Sequence, residues 1–349
     1  MKIAYAICSI GLGHASRSLP VIKYLVSEGH EVHVIAHGRS LEFFRRSMEG
    51  IRIIDLPDYP IEYSESRSSF VPKIIMKSPA IISSLFEEHD EFIRLHRRED
   101  FSLIISDNRY GIFAPGVPSF LITHQLRILN PHRIRFFETL SMVYNGYVGK
   151  YFDGILVPDF ESNSLTGELS HGLRFMEKDK IYYVGPISIY RKKDVPKDIE
   201  LLALISGPEP QRTIFENIVL REMEKTEKNY FVVLGRPESR MESENVVSFV
   251  TPEKLNDLIN RSRYILSRSG YSTIMDLFYT GGKPIFVPTP AQPEQEYLAE
   301  YLSLRGISAS MRQEEFNLSS VDVNGIRGFE GGYNLEKTIK NIMGIIFNK

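Results

Sequence analysis

Cysteine and long apolar runs are both scarce in this chain of 349 residues, and each scarcity excludes a class of protein. The single cysteine, Cys8, cannot form an intramolecular disulfide, and no group of cysteines and histidines has the spacing of a zinc site. Apolar runs stay well short of the roughly 18 residues that a membrane-spanning helix needs. The N-terminal apolar run, residues 3–8, is soon broken by glycines, so it predicts a first strand rather than a signal peptide, in a cytoplasmic protein.

An excess of charge is also absent. The 42 basic and 44 acidic residues leave a formal net charge of −2, which gives no indication of a nucleic-acid partner. A hydrophobic content of 42% with 25% charged residues is normal for a soluble globular protein, and the length suffices for two domains.

Apolar runs of strand length alternate with segments of helical periodicity in both halves of the chain. This alternation is typical of βαβ units in doubly wound parallel sheets, whose ligands bind at the carboxyl ends of the strands. The run Arg191–Asp194 breaks the hydrophobic pattern and reads as a linker. We therefore predict an α/β protein with a first domain at 1–188, a linker at 189–196, a second domain at 197–332 and a C-terminal amphipathic helix at 333–349.

The most informative stretch is residues 267–299. A strand ends at Ser267, Gly270 turns the chain, and Ser272 or Thr273 can cap a helix that carries Asp276. Free backbone N–H groups at such a helix start attract an anion, and glycine lets a phosphate approach. An ordinary strand–turn–helix unit with a capping serine would show the same residues.

The wider pattern resembles a known family. It resembles the donor-binding signature of family 28 of the GT-B nucleotide-sugar glycosyltransferases, one member of which adds N-acetylglucosamine to a lipid-linked peptidoglycan precursor. The resemblance implies two Rossmann-like domains facing across a cleft, with Asp276 on the ribose hydroxyls of the donor, and a C-terminal helix that crosses back to the first domain. It also implies that Glu294 and Gln295 read the donor sugar; a solvated Glu–Gln pair is the alternative. The residues that carry it are Arg268, Gly270, Asp276, Gly282, Pro284, Pro288, Glu294 and Gln295.

The loop after the first strand, GLGHASR at residues 11–17, departs from the dinucleotide fingerprint because Ser16 stands where a third glycine belongs. It resembles the first loop of GT-B enzymes. Family 28 has a longer glycine run there, and this shorter form with Arg17 looks more like nucleotide-sugar hydrolases of pseudaminic acid synthesis. His14 is the candidate general base, since neutral imidazole can take a proton from an acceptor hydroxyl or from water. The alternative is a loop histidine that caps a backbone group.

Polar residues also follow the strands predicted at 103–106 and 119–123, on the same sheet edge as His14. Asp107 is a candidate to orient His14 or to act as the base, unless it only forms a turn with Gly111. The acceptor-side candidates are Gly11, Gly13, Arg17, Asn108, His124 and Gln125.

In the second half, residues 206–212 occupy the place of the family's glycine-rich phosphate loop, but two prolines replace the glycines. Arg212 is expected to meet a phosphate instead. The resemblance also implies that backbone groups near Phe249 and Val250 read the base. The predicted donor-binding residues are Ser206, Arg212, Gly235, Arg236, Phe249, Val250, Arg268, Ser269, Gly270, Ser272, Thr273, Asp276, Glu294 and Gln295.

Two further segments have two interpretations each. The apolar segment 70–86, with Lys73 and Lys77 on one helical face, is either a peripheral membrane contact or a helical pair broken at Pro79. A basic helix beginning near Pro131 either faces a phosphate-bearing acceptor or is solvated surface.

Together these features predict a metal-independent, inverting glycosyltransferase without a cofactor. Its donor is a UDP-sugar carrying a hexose or N-acetylhexosamine, and its acceptor is an unidentified hydroxyl compound, lipid-linked or glycan. A UDP-sugar hydrolase or 2-epimerase on the same fold is the first alternative, and a non-catalytic sugar-nucleotide-binding protein is the second.

Overall fold

The computed structural model describes residues 1–58, 67–130, 132–227, 229–236 and 243–348, and of 67–79 and 81–82 it describes the backbone alone. The described chain divides into two compact units. Among the described residues, the first contains 1–58, 68–189 and 335–348, and the second contains 190–334 together with Arg67. The predicted linker, 189–196, therefore begins at the division and continues into the second unit.

The first domain is built on a parallel sheet of seven strands in the order β3-β2-β1-β4-β5-β6-β7. Tyr5 at its centre pairs with Val34 on one side and Ile105 on the other, and the central strands are apolar because both faces are covered. The strands are β1 Lys2–Ile7, β2 Glu31–Ala36, β3 Arg52–Asp55, β4 Leu103–Asp107, β5 Ser119–Ile122, β6 Gly154–Val157 and β7 Ile181–Tyr183.

The helices of the first domain correct two predictions from the sequence. α3 continues through Pro79, so the expected break there was wrong; a proline removes one hydrogen bond, which a helix of 33 residues can lose. The basic helix begins at Arg135, because the Asn130 side chain accepts from the backbone N–H groups of His132 and Ile134 and holds this segment in a turn. Pro131 lies outside the described residues. The helices are α1 Gly13–Ser27, α2 Gly38–Ser47, α3 Arg67–Glu99 and α4 Arg135–Gly149.

The second domain repeats the plan with six parallel strands in the order β10-β9-β8-β11-β12-β13. Its core includes Phe215, Leu266 and Ile285. The strands are β8 Ile199–Leu204, β9 Tyr230–Val233, β10 Val246–Val247, β11 Ser262–Ser267, β12 Pro284–Phe286 and β13 Ala309–Ser310. The helices are α5 Gln211–Met223, α6 Pro252–Arg261, α7 Tyr271–Thr280 and α8 Pro293–Leu304. The predicted fold class, two doubly wound parallel-sheet domains, is confirmed.

The last helix, α9 Leu335–Phe347, belongs to the first domain. Its apolar positions recur at helical spacing, and Ile339, Ile342 and Ile346 join the core cluster that contains Ile3 and Tyr5. The Thr338 hydroxyl donates to the Pro186 carbonyl, which fixes the start of the helix. Every helix in the described part of the chain is too short or too polar to span a bilayer.

Candidate active site

His14 and Asp107 meet at the carboxyl edge of the first sheet. Asp107 is the last residue of β4 and pairs in register with Ile7 of β1, while α1 begins at Gly13 a few residues after β1. Gly11 turns the chain with a φ of 75°, a conformation that glycine adopts without strain. The result is a contact of 2.8 Å between His14 Nδ1 and Asp107 Oδ1.

Arg17 holds this pair in place. Its Nε donates to Asp107 Oδ2 at 2.8 Å, and its Nη2 donates to Asp107 Oδ1, so the guanidinium forms a bidentate contact with the carboxylate. The Ser18 hydroxyl donates to Oδ2 at 2.9 Å. All three side chains are buried, and a two-pronged contact of this kind fixes the plane of the carboxylate.

The charge of Asp107 determines the kind of hydrogen bond that it can form with His14. Burial alone would raise the pKa of Asp107, but the Arg17 guanidinium and His14 outweigh burial and hold that pKa well below its usual range. An ionised carboxylate only accepts hydrogen bonds, so the His14 tautomer with its proton on Nδ1 donates to it and leaves the lone pair on Nε2; Arg17 Nη2 lies 2.9 Å from the same Nδ1. The His14 side chain is 13% exposed, which leaves its ring accessible from one side. The pair is therefore arranged as a general base with an orienting carboxylate.

The remaining acceptor-side candidates lie at the ends of β4 and β5. His124 is buried, with its Nδ1 3.1 Å from Arg17 Nη1 and its ring centroid 6.4 Å from that of His14. The Asn108 side-chain oxygen accepts from the Thr123 hydroxyl at 3.1 Å, and the Gln125 backbone N–H donates to that hydroxyl. Asn108 and Gln125 thus link neighbouring strand ends beside the His14–Asp107 pair.

Sequence reasoning missed three polar residues at this edge. Ser18 lies four residues after His14, a helical spacing that placed it on the same face. Ser9 donates to Asp58 through both its backbone N–H, at 2.7 Å, and its hydroxyl, at 2.6 Å. Ser9 follows β1 and Asp58 follows β3. Their position directly after a strand was the signal that could have identified them.

In the second domain, α7 begins at Tyr271 with Gly270 as its N-cap. The expected cap from Ser272 or Thr273 was wrong, because β11 ends at Ser267 and the chain enters the helix directly after Gly270. Gly270 has no side chain to cap the helix, and a Cβ built at this position would have no atom within 4 Å, so the space beside the helix start is open. Such a helix start can bind an anion.

Arg268 is turned into the domain. Its Nη1 donates to the carbonyls of Val287 at 3.0 Å and Pro288 at 3.1 Å, its Nη2 donates to the Gln211 carbonyl, and its guanidinium lies 4.0 Å from the Phe215 ring centroid. Burial lowers its pKa to about 9, which still leaves it protonated at neutral pH. Its hydrogen bonds give Arg268 a structural position, whereas the sequence predicted a donor-binding one.

Ser269 and Gln295 also bind to the protein itself. The Ser269 hydroxyl donates to the Gln295 carbonyl at 2.7 Å, and the Gln295 side-chain oxygen accepts from the Thr289 backbone N–H at 2.9 Å. Glu294, in the first turn of α8, is half-buried. Of the two residues expected to read a sugar, Gln295 therefore fixes the loop before α8.

Arg212 and Arg236 share one buried carboxylate, Glu216. Arg212 Nη1 lies 2.9 Å from it, Arg236 Nη2 lies 2.7 Å from it, and Arg212 also pairs with Glu209. In the described residues, Arg236 Nε is buried without a hydrogen-bond partner. Gly235 precedes Arg236 with a φ of 64°, and a Cβ there would lie 2.6 Å from the Ile205 carbonyl oxygen.

Three other predicted donor residues are accessible at this edge. Phe249, in the loop after β10, is 52% exposed, Val250 beside it is half-buried, and Ser206 is exposed at the end of β8. Asp276, on α7, is half-buried. Its charge and that of Glu253 act on Tyr190: burial, together with these two charges, raises the pKa of Tyr190 well above its usual range. The predicted donor residues therefore follow the ends of β8, β9, β10 and β11, which lie at one edge of the sheet.

Comparison with known proteins gives matches in both domains. Residues 1–109 match the family model described as glycosyl transferase family 1, and residues 211–340 match the glycosyltransferase family 28 C-terminal domain. An uncharacterised glycosyltransferase of Methanosarcina mazei is 25% identical over 89% of this chain and 86% of its own length. The N-acetylglucosamine transferase of a Sulfurihydrogenibium species that acts on N-acetylmuramyl-(pentapeptide) pyrophosphoryl-undecaprenol is 20% identical over 87% and 83%.

Solved structures agree on the fold. The spinosyn rhamnosyltransferase SpnG has a TM-score of 0.62 at 14% identity, over 99% of this chain and 92% of that one. MurG of Acinetobacter baumannii has a TM-score of 0.57 at 13% identity over the whole of both chains. The GT-B fold and the predicted resemblance to family 28 glycosyltransferases are confirmed.

Proposed function

We propose that this chain, as a relative of the family 28 glycosyltransferases with the GT-B fold, transfers a hexose or N-acetylhexosamine from a UDP-sugar to an acceptor hydroxyl. The observation that carries the proposal is the buried His14–Asp107 pair at the carboxyl edge of the first sheet. A histidine oriented by an ionised carboxylate is a suitable base for deprotonating a hydroxyl group.

The transfer is a single displacement. His14 Nε2 takes the proton of the acceptor hydroxyl, and the oxygen forms a bond to the anomeric carbon while the bond from that carbon to the donor diphosphate breaks on the opposite face. The configuration inverts, and the electron pair leaves with UDP. Asp107 stabilises the imidazolium that forms, and Arg17 keeps the carboxylate in the plane that the imidazole needs.

The second domain supplies the donor site. The backbone N–H groups at the start of α7, with the helix dipole behind them, stabilise the leaving diphosphate without a metal ion. Asp276 binds the ribose hydroxyls, the segment at Phe249 and Val250 contacts the base, and Glu294 contacts the sugar. Arg236 is a candidate cation for the diphosphate, because its Nε has no hydrogen-bond partner among the described residues.

A UDP-sugar hydrolase or 2-epimerase is the second candidate. The short GLGH loop with Arg17 favours it, because this loop resembles that of the nucleotide-sugar hydrolases. In such a reaction the same oriented histidine would deprotonate water. The acceptor of a transferase is proposed to be lipid-linked or a glycan, in line with the pyrophosphoryl-undecaprenol substrate in the name of the Sulfurihydrogenibium relative.

The test is a panel of UDP-, GDP- and dTDP-sugars incubated with the purified chain, with thermal shift and nucleotide release as readouts. We expect one UDP-sugar to stabilise the protein and Asp276→Asn to abolish that shift. Transfer of radiolabelled sugar to extracted lipid and glycan fractions then identifies the acceptor, and added EDTA should leave its rate unchanged. Rapid nucleotide release without acceptor would favour the hydrolase, and an absence of nucleotide-sugar binding would refute the donor site.

The catalytic pair has a matched control. His14→Gln should remove turnover and keep donor binding. His37 and Asp55 form a second pair with a 2.7 Å contact, but both side chains are largely exposed. His37→Gln should therefore leave turnover unchanged. Equal losses in the two variants would contradict the assignment of His14 as the base.

A further inference from the structure

A cavity of about 630 Å³ lies along β7, the outermost strand on one side of the first sheet. All three residues of β7 line it, although neighbouring side chains of a strand point to opposite faces of the sheet. Tyr182 packs against the core cluster to which α9 contributes. Ile181 and Tyr183 belong to a separate cluster, which includes Met176, on the other face. A cavity lined from both faces lies across the open edge of the sheet, and we call it the β7 edge cavity.

The backbone of Tyr183 points to this open edge. Tyr183 stands opposite Val157 of β6, and the Val184 N–H donates to the Val157 carbonyl at 2.9 Å. Because successive backbone groups of a strand point to alternate sides, the N–H and C=O of Tyr183 point away from β6. Neither group has a hydrogen-bond partner among the described residues. The Tyr183 hydroxyl, in contrast, donates to the Ser170 carbonyl at 2.7 Å. An edge strand with free backbone groups is a template for a further strand.

Two charges of opposite sign stand at the two ends of the β7 edge cavity. Lys178 lies just before β7, at the amino end of the strand. Glu161 follows the end of β6, and burial, the charge of Asp159 and the charge of Glu161 together raise the pKa of Tyr183 to about 12. Glu161 is therefore near the last residue of β7. Both charged side chains are exposed, and neither forms an ion pair with another described residue. Asp179 is exposed beside Lys178 but does not line the cavity.

We infer that the β7 edge cavity binds an extended peptide segment of a partner protein as an added strand, antiparallel to β7. In an antiparallel pair, a residue exchanges both of its backbone hydrogen bonds with the residue opposite, and Tyr183 offers both groups. A peptide in this direction begins near Glu161 and ends near Lys178. Its first residue should therefore be basic and its last residue acidic. The residues between them should be apolar, because Leu173 and Met176 also line the cavity.

The dimensions of the β7 edge cavity suit a single added strand. Its volume is within the roughly 300–1,000 Å³ of ligand sites. Five extended residues span about 17 Å, against about 10 Å for the three residues of β7, so both ends of a peptide reach beyond the strand to the charges. A second copy of the chain fits less well. Segment 161–178 and α9 flank β7, and the same walls would keep two β7 edges from reaching the spacing of about 4.8 Å between paired strands. The inference does not depend on the transfer reaction.

The experiment is fluorescence anisotropy of the full chain with two pools of labelled five-residue peptides, capped at both termini. One pool has the order Lys-X-X-X-Asp and the other Asp-X-X-X-Lys, where X is valine, leucine or threonine. The first pool should bind at least about tenfold more tightly, because two attractive charge contacts replace two repulsive ones. The double variant Glu161→Lys/Lys178→Glu should reverse this preference. Lys23→Glu is the matched control, since Lys23 is exposed on α1 of the same domain; it should bind like wild type.

The tightest peptide of the first pool then tests for strand addition. Methylation of its backbone nitrogens, one at a time, should weaken binding by at least about tenfold at alternate positions only, because alternate N–H groups face β7. The binding that the double variant gains for the second pool also excludes misfolding as the cause of its loss for the first.

Four results would overturn the inference. One is the absence of binding by either pool. Another is an equal or opposite preference in wild type, or a preference that the double variant leaves unchanged. The third is uniform sensitivity to N-methylation, which would mean that the peptide does not pair with the strand. The fourth is a concentration-dependent dimer in analytical ultracentrifugation that Lys178→Glu dissociates, which would assign the edge to a second copy.

Discussion

Replacing Arg268 with lysine should destabilise the second domain by about 3–5 kcal/mol, because it leaves two or more buried carbonyls without a donor, at about 1–3 kcal/mol each. Arg268 is 2% exposed and donates to three backbone carbonyls and to the Gln313 side chain. Lysine keeps the positive charge, but its single ammonium group cannot reach acceptors on separate segments of the chain. The contact with the Phe215 ring is weakened as well.

Calorimetry of the full chain measures this effect directly. For a domain of this size, a loss of about 3–5 kcal/mol lowers the melting temperature by roughly 6–20 °C. Arg263→Lys is the matched control, because Arg263 lies on the same strand, β11, and its pair with Glu200 is solvent-exposed. That variant should change stability by less than about 1 kcal/mol.

The opposite outcome would refute the structural position of Arg268. If Arg268→Lys melts like wild type and instead weakens donor binding by tenfold or more, the guanidinium contacts the donor, as the sequence predicted. The two readouts separate the roles because a lost phosphate contact leaves the melting temperature of the unliganded protein unchanged.

Other predictions concern both sheet edges. Asp107→Asn should lower kcat by about 10²–10⁴-fold with little change in donor affinity, measured by steady-state kinetics and thermal shift. Since the pKa of Asp107 is lower in the folded than in the unfolded chain, its carboxylate stabilises the fold above about pH 4, and this stabilisation is lost as the pH falls further. This is tested by measuring the free energy of unfolding in urea for wild type and Asp107→Asn at a series of acidic pH values. Gly235→Ala should cost about 1–3 kcal/mol in unfolding experiments, because its Cβ would contact the Ile205 carbonyl oxygen.

The positions of the site residues were predictable from the order of strands and loops. Buried strands read as continuous apolar runs, and parallel strands bring their carboxyl ends to one edge. That rule alone placed Asp107, His14 and His124 together, and the structure has them in mutual contact with Arg17. The grip of Arg17 on Asp107 was not predictable, because it depends on how α1 is rotated over the sheet.

The direction of a side chain was much harder to predict than its position. Arg268 and Gln295 belong to the recognised motif, yet both are bound to backbone groups of their own domain. A residue directly after a strand or at a helix start can face either the ligand or the interior, and sequence spacing is the same in both cases. Their hydrogen-bond partners, which include Val287 and Thr289, decide the direction and come from other segments of the fold.

The place of α9 has a consequence for synthesis on the ribosome. The first domain needs Ile339, Ile342 and Ile346 to complete its core, and these residues are made after the whole second domain. Residues 190–334, which carry all the strands of the second domain, form one continuous stretch and can fold as soon as they emerge. We expect the usual order of folding along a chain to be reversed, with the N-terminal sheet exposing an apolar groove to chaperones until α9 arrives to close it.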